Sequence, residues 1–274
     1  MEQTSREAAL WARYRDHLLA AEGPWNQVIE TLLAHRSVRA YLPDPLPAGA
    51  LETIVAAAQS AASSSNLQVW DVVAIEDPDR KARLSMLAGG QAHMREAPLF
   101  LVWIADLARA EAMAKAADRE ADGINYFEML ITAIVDTSLA AQNAMVAAES
   151  LGLGAVYIGA MRNHIDQVAA ELKLPHRAFG VFGMAIGHPD PARPAEVKPR
   201  LPQRVVLHRE TFQPNVPLDA IAEYDQTAVL FQREQAMREI GWTRSVLSRL
   251  KNAEALKGRD NIKQLLQARG FEMR

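Results

Sequence analysis

The stretch Tyr126–Leu151 constrains the fold most. It is the strongest helix in the chain, long and apolar nearly all round. A helix without a polar face has to be covered on every side, so it should be a central, buried helix. Pro98–Ala105 (Pro-Leu-Phe-Leu-Val-Trp-Ile-Ala) is a continuous apolar run of the kind that forms a strand buried on both faces. Leu67–Ile75, Ala155–Ile158 and Phe179–Ile186 read as further strands. The expected class is α+β, with a central mixed sheet of about four to five strands surrounding the long buried helix.

Around that centre the chain reads as helices and turns. Residues 5–20 look helical, with Leu10, Trp11, Tyr14, Leu18 and Leu19 on one side, and Gly23-Pro24 breaks the segment. Helices are also expected over Asn26–Ala34, Ala50–Ala62, Arg80–Leu87 and His164–Leu172. Leu107–Asp122, rich in alanine and charge, reads as a surface helix or lid. Gly152-Leu153-Gly154 closes the long helix. Ala192–Pro202 holds Pro194, Pro199 and Pro202 and must be largely extended. Beyond Leu218 the chain looks helical and polar. The expected division is a helical N-terminal extension over 1–24, one core over 25–215 and a helical C-terminal arm over 216–274.

Composition removes whole classes of chemistry. The chain has no cysteine, which excludes disulfides, thiolate metal sites, iron–sulfur clusters and a cysteine nucleophile. Its seven histidines show no metal-ligand spacing, so no metal is expected. Net charge is −3, with both signs interspersed, and no basic block suggests nucleic acid. No uncharged run approaches the ~20 residues that cross a bilayer. The opening Met-Glu-Gln-Thr-Ser-Arg-Glu lacks a basic start followed by an apolar run. A cytoplasmic protein with no membrane partner is the expectation. Motifs of metalloproteases, serine hydrolases, P-loops and dinucleotide folds are missing.

Five short segments could hold a ligand. His35-Arg36-Ser37-Val38-Arg39 places two guanidiniums, an imidazole and a hydroxyl within five residues, a set suited to phosphate. It could equally be a solvated charged loop. Ser63-Ser64-Ser65-Asn66-Leu67-Gln68 is a run of small donors, or simply a helix stop. Tyr157-Ile158-Gly159-Ala160 ends a strand in small residues that let a flat ligand approach the backbone, or that merely make a turn. Lys198-Pro199-Arg200 sets two cations on a stiff segment, or on a basic surface loop. Gly89-Gly90-Gln91-Ala92-His93 adds a glycine turn followed by an amide and an imidazole.

The order of these segments is more specific than any one of them. With Val135-Asp136-Thr137-Ser138-Leu139 and Met161-Arg162-Asn163 between them, they resemble the oxygen-insensitive NADPH nitroreductases and P-type flavin reductases, over roughly residues 28–215. The resemblance implies a homodimeric nitroreductase fold that binds FMN noncovalently at the dimer interface. It implies NADPH or NADH as hydride donor and a nitroaromatic, quinone or flavin as acceptor, in ping-pong turnover. Chemistry is then carried by the cofactor, and no side chain is expected to act as a catalytic acid, base or nucleophile.

By the same resemblance His35, Arg36, Ser37 and Arg39 surround the flavin phosphate and ribityl chain. Ser63 and Ser65 donate nearby, and Gln91 contacts the flavin, with His93 lining the cleft. Tyr157, Ile158, Gly159 and Ala160 pass beside the ring system, and Lys198 and Arg200 complete the site. Ala160 stands where the family usually has a second glycine. Arg233, Arg238 and Arg244 are candidates for the 2′-phosphate of NADPH. Other readings of the same chain are a flavin reductase, a flavin-dependent dehydrogenase or dehalogenase, and a non-enzymatic helical interaction protein.

Overall fold

A computed structural model describes Glu2–Asp16 and Gly23–Arg274; Leu18 and Leu19 of the expected first helix lie outside the described residues. In chain order the elements are α1 (Glu2–Tyr14), α2 (Gln27–Leu33), α3 (Ala50–Gln59), β1 (Trp70–Ile75), α4 (Pro78–Leu87), α5 (Ala92–Glu96) and β2 (Leu99–Asp106). There follow α6 (Ala108–Ala116), α7 (Phe127–Ser150), β3 (Gly154–Ile158), α8 (Ile165–Glu171) and β4 (Ala178–Gly187). The last are α9 (Gln203–Val206), α10 (Leu218–Glu234), α11 (Trp242–Arg249) and α12 (Ile262–Ala268). They form two compact units, residues 37–194 with 257–274, and residues 1–36 with 195–256.

The larger unit holds the sheet, in the order β1-β2-β4-β3. All three pairings are antiparallel, where a mixed sheet is expected from the sequence. The parallel element is reduced to one bridge, Ser37 with Ala155. Every residue of β2 is buried, because helices cover both faces of the sheet. On one side α3 and α7 pack Ile54, Ala58, Ala140, Ala141, Ala144 and Met145 against Leu101, Trp103 and Met184. Alanine at these α7 positions lets the helix approach the strands closely, at little cost in side-chain entropy. A second cluster joins Ala133 and Phe179 to Leu266 and Phe271, so the C-terminal segment helps close this core. By length and composition α7 could cross a membrane, but half of it is buried inside the protein.

Two boundaries shift for local reasons. The strand expected from Leu67 begins at Trp70, because Ser65, Asn66 and Gln68 all take positive φ and hold the chain in a turn. The glycines after α7 have different duties. Gly152 takes φ +76 and ends the helix, whereas a Cβ on Gly154 would lie 2.6 Å from Val38 Cγ2. Val38 sits in the middle of the His35–Arg39 motif and donates its N–H to Ala155 O at 3.1 Å. Gly154→Val should therefore push the motif off β3. A loss of about 1–3 kcal/mol is expected for such overpacking, read as a lower melting temperature. An unchanged melting point would show that Val38 yields freely.

The smaller unit is helical. Buried Tyr224 on α10 packs edge-on to Trp242 of α11, with ring centroids 5.6 Å apart. Asn26 caps α2 by accepting the Ile29 N–H at 3.0 Å.

Candidate flavin site

In the larger unit the motif residues Ser37 and Arg39 leave the β3 edge beside α5. Arg39 is exposed and makes no hydrogen bond or ion pair among the described residues. Its charge is felt at His93, whose pKa is held below the ordinary histidine value first by burial and then by Arg39, with Glu96 opposing. His93 Nε2 is buried without a hydrogen-bond partner. A cation without a carboxylate and a ring nitrogen without a partner are what an anionic ligand with polar edges could satisfy.

Gln91 stands just ahead of His93 on a turn that only glycine makes cheaply, Gly89 at φ +82 and Gly90 at φ +76. Its side-chain amide donates to Ala88 O at 3.0 Å, and its own carbonyl accepts from Ser85 Oγ at 2.8 Å. Buried Ser85 thus fixes the turn from below.

The serine run is organised by a residue to which the sequence assigned no role. Asp136 lies in the middle of α7 at 1% exposure. Its carboxylate accepts Ser63 Oγ at 2.6 Å, the Ser64 N–H at 3.2 Å and the Val69 N–H at 3.4 Å. Ser63 Oγ also accepts the Gln68 N–H at 2.8 Å. Its hydroxyl is engaged in holding the turn together. Ser65 is exposed, takes φ +49 and makes no hydrogen bond with its side chain among the described residues. A carboxylate inside an otherwise apolar helix was the available signal for this arrangement, since buried charge demands partners.

At the far end of β3, Tyr157 lies half-buried against Phe182 with ring centroids 5.0 Å apart. Burial pushes its phenol well above the usual range, with Glu149 adding to the effect, so the ring is neutral. The Ile158 side chain is buried, so only its backbone could meet a ligand. Gly159 and Ala160 open a tight helical turn over 159–164. A Cβ on Gly159 would lie 3.3 Å from Arg162 Nη2, and Arg162 itself donates to Val181 O. The absence of a side chain at Gly159 thus leaves room for the Arg162 guanidinium beside it.

The smaller unit carries His35, Arg36, Lys198 and Arg200. His35 and Arg36 follow α2, and Arg36 donates to Ala34 O at 3.3 Å. Lys198 and Arg200 have exposed side chains on a firmly held backbone. Tyr224 donates to Pro199 O at 2.9 Å, and Arg200 Nη1 to Lys198 O at 3.2 Å.

A family model described as "Nitroreductase family" matches residues 32–188, and one described as its C-terminal domain matches 198–274. The chain belongs to the nitroreductase family. The match extends past residue 215, where the resemblance in sequence motifs fades. Among curated relatives of this nitroreductase, the FMN reductase (NADPH) of Bacillus subtilis is 36% identical over 251 residues, covering 90% of this chain and 98% of its own. The NADPH-flavin oxidoreductase of Vibrio harveyi is 39% identical over 251 residues, covering 91% and 100%. Among solved structures, the NfrA1 nitroreductase from B. subtilis superposes with a TM-score of 0.84 at 34% identity, covering 90% of this chain and 100% of that one.

Proposed function

We propose that this nitroreductase is an FMN-dependent NAD(P)H oxidoreductase that reduces flat two-electron acceptors, nitroaromatics and quinones or free flavin. The observation that carries the reading is the pairing of Arg39, without an acidic partner, with the orphaned Nε2 of His93, in a chain whose relatives are named for FMN. FMN ends in a phosphate of about two negative charges at neutral pH. His35, Arg36, Ser37 and Arg39 would hold that end. Ser63 would pin the turn, and the unengaged Ser65 would offer its hydroxyl to the ribityl chain. Gln91, the Tyr157–Ala160 backbone, Lys198 and Arg200 would border the ring. Bound there, FMN supplies the hydride chemistry, taking two electrons from the nicotinamide and passing them on. The protein's share is to orient the ring, and to place cations where charge accumulates.

For the donor, Arg238 and Arg244 are the better candidates for the NADPH 2′-phosphate, because Arg233 is bound to Glu239 at 2.8 Å. As regions with separate duties we keep 1–24 as an extension, 25–215 as the flavin-binding core and 216–274 as an arm. A soluble, cytoplasmic enzyme acting on small molecules, and on neither nucleic acid nor membranes, fits the burial of α7 in the core. The test is direct. Purified protein should be yellow, and should oxidise NADPH faster when nitrofurazone or FMN is added. A colourless protein that does not take up added FMN would end this reading. Greater turnover with free FMN than with any nitroarene would favour the flavin-reductase form of it.

We also read the protein as a homodimer. On α7, Phe127, Ile131, Val135 and Leu139 recur every fourth residue and are 42–50% exposed, which makes one apolar face along a helix otherwise in the core. Val135→Asp should split the dimer, seen as a halved mass in sedimentation, with loss of flavin. A variant that stays dimeric would place the interface elsewhere.

A further inference from the structure

Residues 1–31 precede the first residue matched by the family model, so kinship assigns no duty to α1. Its last turn carries Arg13, buried at 6% exposure. The guanidinium donates through Nη1 to Lys198 O at 2.9 Å and through Nη2 to Leu33 O at 2.8 Å and His35 O at 2.7 Å. The Arg13 carbonyl in turn accepts the Arg200 N–H at 2.9 Å. One residue therefore joins the main chain entering the His35 motif to the main chain on both sides of Pro199.

Such burial is costly for a charge unless every donor is well met. Packing α1 alone would need only an apolar side chain. A planar guanidinium does something else: its fork fixes two acceptor groups at a set distance and angle. Tyr224 secures the Pro199 carbonyl from α10, so the segment is held from two sides.

We propose that Arg13 is a positioning residue of the flavin site, and that it sets the spacing between the backbone of His35 and that of Lys198–Arg200. Resting on the assignment of those residues to FMN made above, this gives the N-terminal helix a duty in cofactor retention. Arg13 acts through main-chain carbonyls and does not touch the cofactor.

The experiment is FMN titration of the apoprotein, followed by flavin fluorescence, with hydrogen exchange of the same samples. Arg13→Ala should weaken FMN by about ten- to a hundredfold, and should speed exchange over residues 34–39 and 198–201. Arg13→Lys should lose less than the alanine variant, because an ammonium still donates to a carbonyl, but should not match the parent, because it lacks the planar fork. It carries the same test if the alanine variant does not fold. Glu234→Gln breaks the surface pair of Arg15 with Glu234, 2.8 Å long, and so loosens α1 at a different place. It should bind FMN like the parent. If both Arg13 variants melt earlier yet keep the parent's FMN affinity and exchange pattern, Arg13 is a packing residue and the proposal is overturned. If Arg36→Ala and Lys198→Ala also leave FMN affinity intact, the flavin assignment itself has failed, and the proposal falls with it.

Discussion

Arg36→Ala combined with Arg39→Ala should release most of the flavin on dilution. Both side chains are exposed, and neither meets a carboxylate: Arg36 reaches only the backbone of Ala34, and Arg39 makes no bond among the described residues. Each is therefore available to a phosphate. A charge-assisted hydrogen bond contributes about 1.5–3 kcal/mol, and partial exposure puts each arginine toward the low end. The pair should then cost roughly a hundredfold in FMN affinity. The melting temperature of the apoprotein should hardly change, because nothing in the fold leans on these two guanidiniums. The measurement is the return of FMN fluorescence after dilution. Full retention of flavin at submicromolar protein would remove the motif from the site. Arg39→Ala alone has a second signature. His93 titrates low partly because Arg39 is near, so its pKa should rise in the variant, though burial still holds it below the ordinary value. Histidine ring signals followed against pH by NMR would show this.

The second large effect is expected at Asp136. Its carboxylate gathers Ser63 Oγ, the Ser64 N–H and the Val69 N–H. Asp136→Ala would leave these donors without an acceptor next to a buried helix. Each unmet buried donor costs about 1–3 kcal/mol, and Ser63 and Ser64 can recover part of that from water. A net loss on the order of 3 kcal/mol is expected, a large fraction of a typical stability of about 5–15 kcal/mol. For a chain of this size that corresponds to a drop of about 6–12 °C in melting temperature. Flavin affinity should fall as well, because the positive-φ turn at Ser65 and Asn66 is no longer pinned. Asp136→Asn should lie between, since an amide can still accept through one atom but presents its NH2 to groups that are themselves donors. Calorimetry with FMN titration separates the two effects. A melting point equal to the parent's would mean that the turn is held by other contacts.

Local pattern was enough for much of this protein. The all-round apolarity of residues 126–151 declared a core helix, and the continuous run before Ala105 declared a strand buried on both faces. Clustered guanidiniums beside a serine, in collinear order with the other segments, declared a flavin-binding family. These are properties of near neighbours in the chain, so hydrophobic spacing and side-chain chemistry suffice to express them. Strand direction is different. The sheet is antiparallel because of how distant segments pair, as Leu99 does with Ile186, and no local pattern distinguishes that from a mixed sheet. Tertiary structure alone also decided which polar groups are already engaged. Ser63 and Ser65 are alike in sequence, yet one hydroxyl is bound to Asp136, 73 residues away, and the other is unengaged. Nothing in the sequence singles out Arg13, and only folding brings Lys198, 185 residues on, to its guanidinium. Even the motif at His35–Arg39 owes its seat to a position it cannot name, the missing side chain of Gly154 beneath Val38. Burial and partnership depend on which segments meet, and for these residues the partners lie far along the chain.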